Sequence, residues 1–205
     1  NPTEAPVTLD ITYLGLTGEI KTAQRTVAPH VRDTITLSVE VGLQTSVAAK
    51  MTTTDGAGVI MERSEYWGSG GFPNWVDGTN SLGATTSDVA WYLPEGSISS
   101  GFDTYVLVAN PNDYPITVAV RAYSTTGQAP VEAILPAQVP ARGRVTLHMN
   151  AWLAEQGVAT QFESFSTLVT STDGTSPVVV EEAIYWYRDG VNYWRAGSAM
   201  PGIRQ

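Results

Sequence analysis

The sequence of 205 residues predicts an all-β protein built from antiparallel β-sandwich domains. Three observations lead to this prediction: 25 Thr and 22 Val, frequent turn-forming residues (19 Gly and 12 Pro), and short segments of alternating apolar and polar residues. Branching at Cβ stiffens χ1 and suits a pleated surface. Gly and Pro interrupt the chain at short intervals, so each strand must be short. Alternation with a period of two gives a strand one buried face and one exposed face.

The strands can be assigned in chain order from this alternation. In 7–13, Val7, Leu9, Ile11 and Tyr13 point to one side of the predicted strand. The same pattern predicts further strands at 35–39, 47–54, 59–67, 91–93, 104–109, 116–123, 145–149, 165–171 and 178–186. Residues 151–157 are predicted to form a helical turn. Many short strands joined by Gly, Pro and Asp turns are typical of an immunoglobulin-like (Ig-like) sandwich.

An internal repeat divides the sequence into two copies. The matching segments are 1–8 with 110–117, 34–37 with 144–147, 54–56 with 172–174, and 62–67 with 181–186. The offset between matching positions grows from 109 to 119, so the second copy carries about ten extra residues, which we place around 151–162. Self-similarity of this kind is typical of tandem repeat domains.

The first copy lacks the opening of the second. Residues 87–109 precede Asn110, whereas Asn1 begins where that opening would have ended. We therefore predict an incomplete sandwich at 1–86 and a complete one at 87–205. Missing strands expose apolar surface and unpaired edges, so the gap is expected to be filled. Either upstream sequence fills it, which we favour because tandem repeats usually come in larger numbers, or another molecule donates strands.

Several motifs of the second copy occur together in a fixed order. They are Trp91-Tyr92-Leu93-Pro94-Glu95-Gly96-Ser97, Gly101-Phe102-Asp103-Thr104-Tyr105, Asn110-Pro111, and Val179-Val180-Glu181 with Tyr185-Trp186. This series resembles tandem β-sandwich repeats of secreted prokaryotic cell-surface proteins. The resemblance implies a structural or adhesive role outside the cell, and no established catalytic activity. The Gly-His pair common in that pattern is replaced here by Gly78-Thr79 and Gly197-Ser198, so no role of that His carries over.

Composition excludes several classes of partner and chemistry. With 11 basic and 20 acidic residues the net charge is −9, which disfavours nucleic acid and anionic lipid. Cysteine is absent, which removes disulfides and thiol chemistry. No apolar run approaches the roughly 20 residues of a membrane helix, so no membrane insertion is predicted.

Neither catalytic nor metal-binding motifs are present. The chain has no G-x-S-x-G elbow and no D-x-D-x-D-G loop, so we predict no enzyme, no cofactor and no metal. His30 and His148 do not align between the copies and are interpreted as surface residues. Glu62 and Glu181 do align, at strand starts, which indicates structural pairing, with Arg63 as one plausible partner.

Four tryptophans are the candidate ligand-binding residues. Trp67 and Trp75 recur at the same spacing as Trp186 and Trp194. Aromatic faces can stack on sugars, so a carbohydrate-binding module with surface glycans as ligands is the alternative function. The competing interpretation is that each pair folds a loop over the end of its sandwich and buries a large ring.

The sequence thus favours a structural extracellular repeat protein that forms a filament, a surface array or an adhesive stalk. Its predicted partners are copies of itself or neighbouring repeats, and the predicted mechanism is strand complementation. The candidate assembly strands carry Trp91, Tyr92, Leu93, Tyr105 and Leu107. A short linker around 83–88 is expected to set the angle between the domains.

Overall fold

A computed structural model describes residues 1–43, 45–67, 77–125, 127, 129–134, 138–186 and 196–204. The strands of the first copy are β1 (Val7–Gly15), β2 (Gly18–Val27), β3 (Ala48–Thr53), β4 (Glu62–Trp67) and β5 (Asp77–Leu82), with helix α1 (Leu37–Val41). Those of the second are β6 (Ala90–Ser97), β7 (Phe102–Asn110), β8 (Val118–Ser124), β9 (Val131–Ile134), β10 (Gly143–His148), β11 (Ser164–Ser171), β12 (Val179–Trp186), β13 (Ala196–Pro201) and β14 (Ile203–Arg204). Helix α2 (Met149–Glu155) and a 3-10 turn (Ala159–Gln161) lie between β10 and β11.

The second copy is a two-layered antiparallel sandwich. One sheet has the order β10-β7-β12-β13 and the other β14-β6-β11-β8-β9. The core between them includes Trp91 and Leu93 of β6 and Val106 and Val108 of β7, all almost fully buried. Helix α2 closes one side of this core with Met149, Trp152 and Leu153. The prediction of an all-β sandwich fold is confirmed.

The first copy forms a smaller sheet and a separate hairpin. Strands β2, β1 and β3 pair in that order, and β4 pairs with β5. The alternating residues Val7, Leu9, Ile11 and Tyr13 are buried on one face of the sheet, as the period of two predicts. That face is covered by segments from within the first copy, with Ile35, Leu37, Val41, Ala57 and Val59 packed against it.

The two copies correspond strand by strand. The aligned sequence segments place β1, β2, β3, β4 and β5 at the positions of β8, β9, β11, β12 and β13, with the same neighbours. Among the described residues, the first copy has no counterpart of β6, β7, β10 or β14. The boundary between residues 86 and 87 stays a prediction.

An asparagine clamp recurs at equivalent positions of the two copies. The Nδ2 group of Asn110 donates to the carbonyls of Tyr114, Val139 and Pro140, at 2.8–3.2 Å. Asn1 makes the equivalent bonds to Ala5, Val27 and Ala28, at 2.8–3.1 Å. Each clamp joins the segment before β1 or β8 to the bend that follows β2 or β9. This contact explains the recurrence of the Asn-Pro motif.

A glycine recurs opposite the tyrosine of each Tyr-Trp motif. A Cβ on Gly197 would lie 2.5 Å from Cδ1 of Tyr185, and one on Gly78 would lie 2.7 Å from Cδ1 of Tyr66. These glycines face the tyrosines across β12–β13 and β4–β5. The ring therefore lies over the glycine backbone, and only a residue without a side chain fits there.

One predicted strand is wrong. Residues 35–39 do not pair; the segment enters α1 instead. Its counterpart β10 is a strand because it pairs with β7, and the described part of the first copy has no β7. The alternating apolar residues Ile35 and Leu37 nevertheless both pack on the β2-β1-β3 sheet.

The remaining differences concern edges and boundaries. The helical turn expected at 151–157 is α2, which begins two residues earlier and belongs to the predicted insertion. Strands β2, β5, β9, β13 and β14 were missing from the sequence prediction. All five lie at the ends of their sheets, where no described strand pairs with one side and an apolar pattern is not required. None of the described helices is long and apolar enough to cross a membrane.

Candidate assembly site

Strand β3 presents an unpaired edge. The Thr54 amide donates to the Thr8 carbonyl of β1 at 3.0 Å. Because successive residues of a strand direct their amides to opposite sides, the amides of Ala49, Met51 and Thr53 point away from β1. Among the described residues, no strand pairs with that side.

The corresponding edge in the second copy, that of β11, is paired. There Thr172 donates to Thr117, and Ser171 donates to the carbonyl of Val89 at 2.8 Å. Strand β11 accordingly lies between β8 and β6. The edge of β3 is therefore the position that a β6-like strand occupies in a complete sandwich.

Strand β4 has an open edge as well. Gly83 donates to the Met61 carbonyl at 3.1 Å, so alternate residues starting at Arg63 hydrogen-bond to β5. Glu62 and Ser64 direct their backbone groups to the other side, where no described strand pairs. The counterpart β12 is flanked there by β7. The two edges thus correspond to the edges of β11 and β12 that pair with β6 and β7, and the absence of the two opening strands stays a prediction.

The β4–β5 hairpin rests on the second copy. Arg63 and Glu65 align with Glu182 and Ile184, which belong to the face of β12 that lines its own core. In the first copy this face instead meets the outer face of the β10-β7-β12-β13 sheet, and β5 lies against β13. The copies thus share an interface, in addition to the linker expected around 83–88.

A partly buried ion pair anchors the hairpin. Nη1 and Nη2 of Arg63 both donate to the carboxylate of Glu181, with Nη1 2.6 Å from Oε2. Burial raises the pKa of Glu181, while the charge and hydrogen bonds of Arg63 oppose that shift. The expected structural role of Glu181 with Arg63 as partner is confirmed, although the pair joins two copies.

A second anchor lies beside the start of β3. Arg144 of β10 is buried, and its Nη1 donates to the Val47 carbonyl at 2.9 Å. Burial lowers the pKa of this guanidinium. At the neighbouring Gly143, a Cβ would lie 3.0 Å from the carbonyl oxygen of Gly15, in the β1–β2 turn. Contacts at two separate places therefore hold the first copy on the β10-β7-β12-β13 sheet.

Aromatic rings form a row along the same outer face. Trp67 meets Tyr185 edge-on with ring centroids 5.5 Å apart, and Tyr185 lies 6.0 Å from Tyr105. Tyr105 stacks on His148 at 4.6 Å, and Nε2 of His148 lies 2.9 Å from Oδ1 of Asp103. This row could not be predicted from the sequence, because it lies on the outer face of β7 and β12, which a single sandwich would leave to solvent.

The four candidate tryptophans are only partly described. Trp67 is half-buried against Tyr185, and Trp186 is half-buried with its ring 5.9 Å from Phe102. Both rings thus contact other aromatic side chains. Trp75 and Trp194 lie outside the described residues, so their role as ligand-binding residues stays a prediction.

The candidate assembly residues lie in the second sandwich itself. Trp91 and Leu93 are buried in its core, while Tyr92 points outward. Tyr105 belongs to the aromatic row, and Leu107 is half-buried on the same face of β7. Since β6 and β7 each pair on both edges, donation of these strands by this chain would require exchange between molecules.

The other titratable candidates have structural roles. His30 is exposed beside Glu4. The carboxylate of Asp173 accepts hydrogen bonds from the amides of Thr175 and Ser176 and from nearby hydroxyls, which lowers its pKa. Among the described residues, no cluster of three or more His, Asp or Glu could hold a metal ion.

One buried carboxyl has no evident structural partner. Glu182 is 2% exposed, and its buried Oε1 has no hydrogen-bond partner among the described residues. Burial, and secondarily the charge of Glu95, raises the pKa of Glu182 to about 8. Its position two residues after Val180, on the core-facing side of the strand, is the sequence signal that could have revealed it.

A double-mutant cycle on Arg63 and Glu181 should show strong coupling. Each alanine substitution leaves a partly buried charge without its partner, so we expect a coupling energy of about 2 kcal/mol from urea unfolding of the single and double variants. The exposed pair Arg121–Glu132, at 2.9 Å, is the matched control, with an expected coupling below about 0.5 kcal/mol. Equal coupling in the two pairs would contradict the anchoring role.

Comparison with known proteins does not show which family this chain belongs to. No protein-family model matches the sequence, and no curated protein matches it. Similar solved chains include Thermotoga maritima 1070, at 15% identity over 59% of this chain and 97% of that one, with a TM-score of 0.47. The Anabaena sensory rhodopsin transducer is 22% identical over 48% of this chain and 97% of its own, with a TM-score of 0.37. Red sea bream transglutaminase is 10% identical, spans the whole of this chain with 28% of its own, and has a TM-score of 0.23. With TM-scores this low, these likenesses carry no functional argument.

Proposed function

We propose that this chain is a structural repeat protein of the cell surface, in which strand addition at open edges joins neighbouring units into a filament or array. The carrying observation is that no described strand pairs with one edge of β3 and one edge of β4, whereas their counterparts β11 and β12 are paired there with β6 and β7. Edges of this kind are templates for an incoming strand. The location outside the cell follows from the resemblance of the motifs to secreted surface repeats.

The inter-repeat contacts support a mechanical role. A carboxylate–guanidinium pair, a buried arginine and a row of aromatic rings fix the first copy on the second. Such contacts resist bending between units more than a linker would. The acidic, soluble composition fits an exposed polymer.

Substitution of Thr53 by proline should block assembly. Proline removes the amide that faces the open edge but leaves the hydrogen bonds between β1 and β3, since Thr53 does not donate to β1. Wild-type chain, refolded at high concentration so that strands can exchange, is expected to form multimers in sedimentation velocity and filaments by electron microscopy. The Thr53→Pro variant should remain largely monomeric.

Thr53→Val is the matched control, because it keeps the amide and the β-branched shape. It should assemble like the wild type. Wild-type chain that stays monomeric at all concentrations, or filaments that form equally in the Thr53→Pro variant, would refute the proposal.

A further inference from the structure

The occupant of the β3 edge can be specified from the repeat correspondence. Counterparts of Ala49, Lys50, Met51 and Thr52 are Thr167, Leu168, Val169 and Thr170 of β11. In the second copy these four residues lie opposite Leu93, Tyr92, Trp91 and Ala90 of β6, in antiparallel register. Transfer of that register to β3 places a tryptophan opposite Met51 and a leucine opposite Ala49.

The apolar environment at β3 suits those two side chains. Met51 and Ala49 are half-buried and pack on the core of the first copy, whereas Lys50 and Thr52 are exposed. An added strand with apolar residues at alternate positions would extend this core, and its intervening residues would remain in water.

A backbone anchor for the tryptophan is also present. Trp91 is 2% exposed, and its indole Nε1 donates to the Val178 carbonyl at 2.9 Å. The counterpart of Val178 is Val59, which packs on the first core and whose backbone makes no hydrogen bond to a described residue. A buried indole N–H needs an acceptor, and the Val59 carbonyl supplies one at the matching position.

We propose that the β3 edge is a docking groove for an antiparallel strand with the Trp-x-Leu pattern of β6, its tryptophan opposite Met51 and bonded to the Val59 carbonyl. The proposal rests on the proposed function and names the partner that the open edge selects. Specificity comes from the pairing register, because the same strand shifted by one residue would direct its tryptophan and leucine into solvent.

Peptide binding tests the chemistry of the groove. The probe is a fluorescein-labelled peptide with the sequence of residues 87–100, titrated into the full chain and followed by anisotropy. Alanine in place of the tryptophan or the leucine should weaken binding at least tenfold, while alanine in place of the tyrosine between them should change it less than about threefold. The Thr53→Pro chain should bind at least tenfold more weakly than Thr53→Val.

Cross-linking tests the register. Because the chain contains no cysteine, a Lys50→Cys chain and a peptide with Tyr92→Cys form a unique pair. This position corresponds to Leu168 and Tyr92, a non-hydrogen-bonded pair, in which Cα atoms lie about 4.5 Å apart and a disulfide can form. The Thr52→Cys chain, displaced by two residues, should cross-link at least tenfold more slowly.

The outcomes separate this inference from the function on which it rests. Equal binding by the tryptophan-to-alanine peptide, or faster cross-linking at position 52, would overturn the docking groove. Filaments without peptide binding would refute the groove and leave the structural role standing. In-register binding by a chain that never assembles would support the groove and refute filament formation. Displacement of β6 from the second copy is distinguished because it would not depend on Thr53 or Lys50.

Discussion

Replacement of Asn110 by alanine is expected to destabilise the protein by about 4 kcal/mol. The side chain is fully buried, donates to three backbone carbonyls and accepts from the amide of Asn112 at 2.9 Å. Alanine removes these four hydrogen bonds, although the Val139 and Pro140 carbonyls still accept from the amides of Ile116 and Gly143, and each lost bond costs roughly 1 kcal/mol. The free energy of unfolding from urea titrations, followed by circular dichroism, measures the effect.

Asn1→Ala is the internal control for this prediction. It removes the same constellation of hydrogen bonds, but Asn1 is only half-buried, so water can replace part of what is lost. We expect a loss less than half as large. An Asn110→Ala variant as stable as the wild type would show that the clamp does not hold the second sandwich.

Replacement of Glu182 by glutamine is expected to stabilise the protein by about 3 kcal/mol at pH 7. The pKa of Glu182 is raised to about 8 by burial, and next by Glu95, against an ordinary value of 4.5. Below pH 4.5 the carboxyl is protonated in both states and costs nothing. As the pH rises toward 8, only the unfolded chain ionises, so stability is lost across this interval. Glutamine keeps the shape and carries no charge.

The dependence of the unfolding free energy on pH tests this prediction. The stabilisation by Glu182→Gln should fall below about 1 kcal/mol at pH 5 and reach its maximum above pH 8. Glu163→Gln, at an exposed glutamate, should leave the pH profile of the wild type unchanged. If Glu182→Gln destabilises the chain at pH 7, the carboxylate has a favourable buried partner and the assignment is wrong.

Patterns with a local cause could be predicted from the sequence. The alternation in β1 predicts its buried face because the period of two is a property of the strand itself. The strand 35–39 was predicted wrongly because pairing needs a neighbour, and the described first copy offers none to that segment. The edge strands were missed since an unpaired side demands no apolar pattern.

The candidate assembly site likewise has features that the sequence predicts and features that it does not. A gap beside the first copy could be predicted by aligning its motifs with those of the second copy. Which backbone groups face that gap was not, because the direction of an amide depends on the pairing of Thr54 with Thr8. Glu181 was expected to pair with an arginine, but the pairing joins the two copies only because the hairpin turns onto the other sheet.

By itself the sequence determined the all-β fold, the recurrence of the motifs and the absence of cysteine chemistry, because composition and periodicity act within one strand or one motif. The tertiary structure alone decided where the β4–β5 hairpin lies, that buried Oε1 of Glu182 has no partner among the described residues, and that no described strand pairs with the outer edge of β3. Those properties depend on residues that are distant in the sequence, such as Arg63 and Glu181, whose proximity no local pattern encodes.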